Sequence, residues 1–145
     1  MAHQVEKNSD MNCVPLSVVA GALRRGDGLW LMQKRPPEKH HGGLWEFPGG
    51  KVEQGETPVN ALVRELAEEL DIGVIAENCA PAGSAQSAGG EDHLPIVIVL
   101  YTVSDWSGDP RACEGGEVGW FDRAAICALD KPPLDISLAE QLFAQ

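Results

Sequence analysis

Thr57-Pro58 opens the segment that most constrains this chain. A hydroxyl followed by proline is a strong helix start: the hydroxyl oxygen accepts a free N–H of the first turn, and proline has no N–H to strand. Over residues 59–70 the apolar positions Val59, Leu62, Val63, Leu66 and Leu70 recur at helical spacing and make one stripe. Glu65, Glu68 and Glu69 fall together on another face, because residues three and four apart are neighbours on a helix. Such a helix must bury its stripe against a core while presenting concentrated negative charge elsewhere. Like charges at this spacing oppose the helix by about 0.2–0.5 kcal/mol per pair. A cation among the carboxylates would remove the conflict.

The flanking sequence supplies strands to receive the stripe. Residues 16–23 form an apolar, β-branched run leading into Arg25-Gly26-Asp27-Gly28, and residues 29–33 are apolar again, which reads as a hairpin around a glycine-rich turn. Residues 44–47 are a short strand candidate stopped by Pro48-Gly49-Gly50, and Glu53-Gln54-Gly55-Glu56 is a second turn. Residues 94–103 have the β-branched composition of a central strand, and residues 118–121 form another short one. Residues 124–129 and 136–143 read as helices separated by Lys131-Pro132-Pro133, and the small residues of 80–90 read as a mobile loop. Strands interleaved with a few helices place the chain in the α/β (α+β) class.

At 145 residues and 43% hydrophobic content, one domain with a real core is expected. Residues 1–12 are polar and aperiodic, a flexible tail before a single domain over 13–145. With 22 acidic against 11 basic residues the formal charge is −11, which disfavours a nucleic-acid polymer as partner. A small anionic substrate is compatible if metal ions neutralise the site. Cys13, Cys79, Cys113 and Cys127 are scattered, without a C-x-x-C pair, and read as reduced packing residues. No apolar run approaches the roughly 20 residues that span a bilayer, and the start lacks a signal-peptide apolar region, so a cytoplasmic protein without a membrane partner is expected. The oligomeric state is open, with a monomer as the default.

The segment Gly50-x5-Glu56-x7-Arg64-Glu65-Leu66-x-Glu68-Glu69-Leu70 closely resembles the Nudix box, G-x5-E-x7-R-E-U-x-E-E-x-G-U, where U is a bulky aliphatic residue. Asp71 stands where that pattern has its last glycine, followed by Ile72; aspartate also tolerates the left-handed conformation that ends a helix. The preceding Trp45-Glu46-Phe47-Pro48-Gly49-Gly50-Lys51 is similar to the MutT-type branch. The resemblance implies an α/β/α sandwich with a mixed sheet. It also implies a magnesium-dependent pyrophosphohydrolase, with manganese as a substitute ion, that splits a nucleoside triphosphate into monophosphate and pyrophosphate. The leading substrate is 8-oxo-dGTP, a role in nucleotide-pool sanitation and DNA repair, with (d)CTP or (d)NTPs in general as the alternative. A non-catalytic nucleotide-binding module is the alternative of another class.

Carried onto this sequence, the resemblance makes Glu65, Glu68, Glu69 and the carbonyl of Gly49 metal ligands, with Glu56 and Arg64 as a supporting pair. Hard divalent cations take oxygen ligands of this kind, and a guanidinium fork can hold a carboxylate in one orientation. Glu114, or Glu117 in competition with it, is the distal glutamate expected near the attacking water as general base. Arg35, together with Lys34, is expected at substrate phosphate, and His40 near the nucleotide. Asp135, after Pro132-Pro133, falls where an asparagine reads the purine edge; it either contacts the base or caps the last helix. His40-His41 lacks the further ligands of a zinc site, and Trp30, Trp45, Trp106 and Trp120 are assigned to core or edge packing.

Overall fold

The computed structural model describes residues 14–145, so the expected tail and Cys13 lie outside the described residues. In chain order the elements are β1 (Leu16–Leu23), β2 (Trp30–Lys34), β3 (Trp45–Glu46), β4 (Gly49–Lys51), α1 (Pro58–Leu70), a 3-10 turn (Ala76–Asn78), β5 (Cys79–Ser87), β6 (Ile96–Val103), β7 (Glu117–Phe121), α2 (Arg123–Ala128) and α3 (Pro133–Ala144). One sheet runs β4-β1-β6-β5 and the other β3-β2-β7. The first is mixed: β1 and β6 are parallel from Leu16 opposite Ile96 to Leu23 opposite Val103, while β4 and β5 run antiparallel on the flanks.

The continuous apolar run of β1 follows from its position between two helical layers. Alternate residues of a strand point to opposite faces. Val19 and Leu23 therefore pack with Leu62, Leu66 and Leu70 of α1, while Ala20 and Ala22 pack with Leu138, Ala139 and Leu142 of α3. The expected α/β/α layering is thus formed by two cores on either side of the mixed sheet. Gly21 faces α1, where a Cβ would make ordinary contacts with Leu62 at 3.4 Å and Leu66 at 3.5 Å.

α1 begins and ends as its sequence indicates. The Thr57 hydroxyl accepts from Asn60 N at 3.3 Å and Pro58 takes the first position. At the other end Asp71 adopts φ 58°, ψ 41°, and its N–H donates to Ala67 O. Aspartate here does the conformational work of the glycine it replaces.

Four local expectations are corrected. β1 and β2 do not zip into a hairpin ladder: they share one bridge, Arg24–Trp30, and the bond from Arg25 N to Leu29 O at 2.8 Å, then diverge into different sheets. Pro48-Gly49-Gly50 is less a stop than a crossing, because Gly49 and Gly50 start β4 and pair with Ala20 and Val19. A side chain at Gly49 would collide with the Val19 carbonyl, so only glycine permits this approach. Residues 80–90 are mostly strand, β5, whose alanines, glycine and serines carry little intrinsic β signal and are ordered by pairing with the apolar β6. The last helix also begins earlier than expected, at Pro133.

β5 is an edge strand, and α3 closes it. The carboxamide of Gln141 accepts from Ser84 N at 2.9 Å and donates to Ser84 O at 2.7 Å, imitating a neighbouring strand beside the irregularity at Pro81 and Gly83. Gln141→Ala removes both bonds, and a loss of about 1–2 kcal/mol is expected. Thermal unfolding should show Tm lower by several degrees with turnover at saturating substrate retained.

Candidate active site

The α1 carboxylates face the β4 backbone across a short gap. The Gly49 N–H donates to Glu69 Oε1 at 3.2 Å, and the Glu65 carboxylate occupies the space a Cβ on Gly50 would need. The two glycines therefore admit acidic side chains to the strand surface. Arg64 organises the rest. Its Nε and Nη2 grip Glu56 at 2.7 and 2.9 Å, Nη2 also donates to Lys51 O at 3.0 Å, and Nη1 lies 3.2 Å from Glu65 and 3.4 Å from Glu68. The Glu56–Arg64 pair expected from the sequence is formed, and it ties the turn after β4 to the helix.

The charges of the site are out of balance. Burial pushes the Glu69 carboxyl up to about 8, and the charge of Glu65 adds to the shift. Glu65 is raised too, chiefly by burial and against the pull of Arg64, with Glu68 and Glu114 reinforcing it. Glu56 goes the other way, drawn down to about 2 by its hydrogen bonds from Arg64. Among the described residues no three carboxylates have converged into a chelating group, and Glu68 is turned toward Arg64. Mutually repelling oxygen donors, two of them half-buried beside a backbone strand, suit a hard divalent cation, which would restore the missing countercharge.

The two candidate glutamates of the distal loop stand in different surroundings. The charge of Glu114 acts on both Glu65 and Glu69, whereas Glu117 lies in β7 with its carboxylate 3.9 Å from Lys34 Nζ. Gly115 and Gly116 follow at φ 89° and 80°, and a Cβ on Gly116 would strike the Lys34 carbonyl. The turn that separates the two glutamates therefore depends on glycine.

Arg35 is engaged by groups of the protein itself. Its Nη1 lies 3.2 and 3.0 Å from the two oxygens of Glu46, and its Nε donates to the His40 carbonyl at 2.7 Å. His40 is exposed; its ring packs on His41 at 3.9 Å between centroids, and its carbonyl makes the link to Arg35. Lys34 lies 5.9 Å from the Trp45 ring centroid. The tryptophans pack in pairs with other aromatics, Trp106 stacking on Trp120 at 6.0 Å and Trp30 meeting Phe143 edge-on at 5.6 Å.

Asp135 does not cap α3. Pro132 holds the cap position, and Asp135 turns inward from the first turn, 6% exposed, to accept from Phe47 N at 3.0 Å. Burial pushes its carboxyl up to about 7, with the nearby Glu46 charge adding and the Phe47 N–H opposing. Its other oxygen has no hydrogen-bond partner among the described residues. Two neighbours carried no assigned role in the sequence. Glu46 influences both Glu69 and Asp135, and buried Lys131 donates to Ile126 O at 2.6 Å and Leu129 O at 2.9 Å, closing the end of α2. In the sequence Glu46 stands only within the stretch similar to the MutT-type branch, and Lys131 only beside the Pro132-Pro133 pair.

In the unfolded chain Glu69 and Asp135 ionise near 4.5 and 3.8, while in the folded, metal-free protein they keep protons to about 8 and about 7. Between those limits the folded state binds more protons than the unfolded one, so stability falls as pH rises. Melting in a chelating buffer across this range should show a declining Tm. Glu69→Gln and Asp135→Asn should each flatten the decline, and an unchanged slope in both variants would contradict these assignments.

Comparison with known proteins agrees with this geometry. The NUDIX domain model matches residues 15–142. The chain is 35% identical over 131 residues to the 8-oxo-dGTP diphosphatase of Haemophilus influenzae, covering 88% of this chain and 91% of that protein. It is equally 35% identical over 129 residues to the CTP pyrophosphohydrolase of Escherichia coli, covering 89% and 92%. A solved structure from a study of MutT from Aliivibrio salmonicida and Vibrio cholerae superposes with a TM-score of 0.78 at 32% identity, covering 91% of this chain and 99% of that one. Glutamate-bearing helix, glycine strand and sandwich together are those of a phosphorus-anhydride hydrolase, and the chain belongs to the Nudix family.

Proposed function

We propose that this protein hydrolyses a nucleoside triphosphate at an internal phosphorus, releasing the monophosphate and pyrophosphate, with 8-oxo-dGTP as the leading substrate. The observation that carries the reading is the cluster of Glu65 and Glu69 against Gly49 and Gly50, with Glu114 within electrostatic reach. Glu65, Glu68, Glu69 and the Gly49 carbonyl are the groups that would hold magnesium, or manganese in its place. A divalent ion bound there neutralises polyphosphate charge and acidifies water. Glu114 is the carboxylate that would take the proton of the attacking water. As the water oxygen bonds to phosphorus, the anhydride oxygen leaves with the pyrophosphate. Arg64 holds Glu56, Glu65 and Glu68 in orientation, and Arg35 is the cation available to substrate phosphate.

Asp135 supports a particular kind of base. A carboxyl poised at about 7 offers, in its neutral form, one O–H donor together with an acceptor oxygen. That pair complements 8-oxoguanine, whose N7 carries hydrogen beside the O6 acceptor. Guanine presents two acceptors at the same edge. Cytosine also offers a donor beside an acceptor, through N4 and N3, so Asp135 favours (d)CTP as the second reading.

Catalytic efficiency on 8-oxo-dGTP, dGTP, dCTP and 5-methyl-dCTP, with product identification, tests this. A matched edge is worth about 1–3 kcal/mol, so dGTP should be poorer by on the order of 10- to 100-fold. Parity between 8-oxo-dGTP and dGTP removes the sanitation reading. Glu68→Gln should lower kcat at least about 100-fold, and normal turnover in that variant would sink the mechanism.

A further inference from the structure

None of residues 104–116, the loop from β6 to β7, is buried, so apolar packing does not hold the segment that carries Glu114. The end of α1 holds it instead. A helix leaves its last four carbonyls without partners of its own. In α1 two of these are met from the loop: the Arg111 N–H donates to Leu70 O at 3.1 Å and the Cys113 N–H to Glu69 O at 3.0 Å. Gly73 and Ser107 exchange both backbone bonds at 2.9 Å, and Gly108, at φ 94°, lies where a Cβ would come 3.2 Å from the Asp71 carbonyl. The loop thus runs along residues 69–73 as a cap on the helix, and Glu114 follows the Cys113 anchor by one residue.

A glycine at 71, the residue of the box pattern, would suit the left-handed conformation there at least as well as aspartate. What aspartate adds is a carboxylate, and the loop uses it: Arg111 Nε and Nη2 both donate to Asp71 Oδ2, at 3.2 and 2.9 Å. The Arg111 side chain is 71% exposed and that of Asp71 62%, so the pair adds little to global stability. Its position gives it a different effect, because it spans the junction at which the loop meets the Leu70 and Glu69 carbonyls. We propose that Asp71 and Arg111 are positioning residues, their ion pair holding the segment before Glu114 against the end of α1 so that Glu114 and the α1 glutamates keep one mutual arrangement. The inference rests on the reading of Glu114 as the general base. Without the pair the segment depends on solvent-exposed backbone bonds and opens locally more often. Each opening removes Glu114 from the attacking water and leaves the groups that bind substrate in place.

The test combines thermal melting with steady-state pyrophosphate release from 8-oxo-dGTP and dCTP in magnesium. The proteins are wild type, Asp71→Gly, Arg111→Gln, Asp71→Gly/Arg111→Gln, Glu114→Gln and Arg111→Gln/Glu114→Gln. Each single change at 71 or 111 should lower kcat about two- to fivefold, the range of one exposed ion pair, with KM within about twofold. The Asp71→Gly/Arg111→Gln protein should lose no more than either single variant, and the gap to wild type should close as added salt screens the pair. Asp71→Gly should melt no lower than wild type, since glycine is at ease in the left-handed region. In the Glu114→Gln background Arg111→Gln should change kcat by less than about 1.5-fold. Unchanged kcat in both single variants, additive losses, a loss undiminished in the Glu114→Gln background, or a lowered melting temperature in Asp71→Gly would each overturn the proposal. Normal turnover in Glu114→Gln sinks the general-base reading beneath it, and failure of wild type to release pyrophosphate from any nucleoside triphosphate sinks the proposed function itself.

Discussion

Arg64 is the constraint on which the rest of the site depends. Three glutamates on one helix face repel each other, and nearby Glu53 and Glu56 add to the excess. One guanidinium reaches four carboxylates and the Lys51 carbonyl, so the turn after β4 cannot move independently of α1. Its fixed fork determines which carboxylate oxygens are already used, and therefore which remain for a cation. Lysine at this position would keep the charge and lose the simultaneous grip on Glu56 and Lys51.

That clamp works because the backbone beneath it is unusually close. Gly49 allows β4 to approach β1, and Gly50 leaves room for the Glu65 carboxylate. The same crossing from β3 to β4 carries Phe47, whose N–H meets Asp135 from α3. The glutamates proposed to hold metal and the proposed base-reading carboxylate are consequently joined by five residues of chain, Glu46 to Gly50. Glu46 lies electrically between them, acting on Glu69 on one side and Asp135 on the other. A change in the partner of Glu46 is felt at both ends of the site.

Local signals were legible where the physics is local. The Thr57 cap, Pro58, the apolar stripe, the left-handed Asp71 and the Glu56–Arg64 pair are all set within a few helical turns, and the structure reproduces them. β5 was misread because alanine, glycine and serine have no strong strand preference of their own; β6 supplies the pairing and α3 supplies the cover. Asp135 was open to a capping role because sequence places it beside a helix start, while only packing shows its carboxyl directed to Phe47 N. The sequence offered no means of separating Glu114 from Glu117, since both lie in one acidic, glycine-rich stretch. Strand pairing directs Glu117 toward Lys34, while the charge of Glu114 is felt at Glu65.

By itself the sequence determined the helix, its two faces, the oxygen-rich chemistry at that face and the family to which both belong, because these follow from spacing along one element. Tertiary structure decided that Glu117 stands beside Lys34, that the Arg35 guanidinium meets the Glu46 carboxylate, and that the Gln33 carboxamide oxygen is buried without a partner among the described residues. It also decided that Asp135 is buried deeply enough to keep a proton near neutral pH. Those outcomes depend on desolvation and on contacts between segments far apart in the chain. Neither quantity exists until the two sheets and three helices have closed around them.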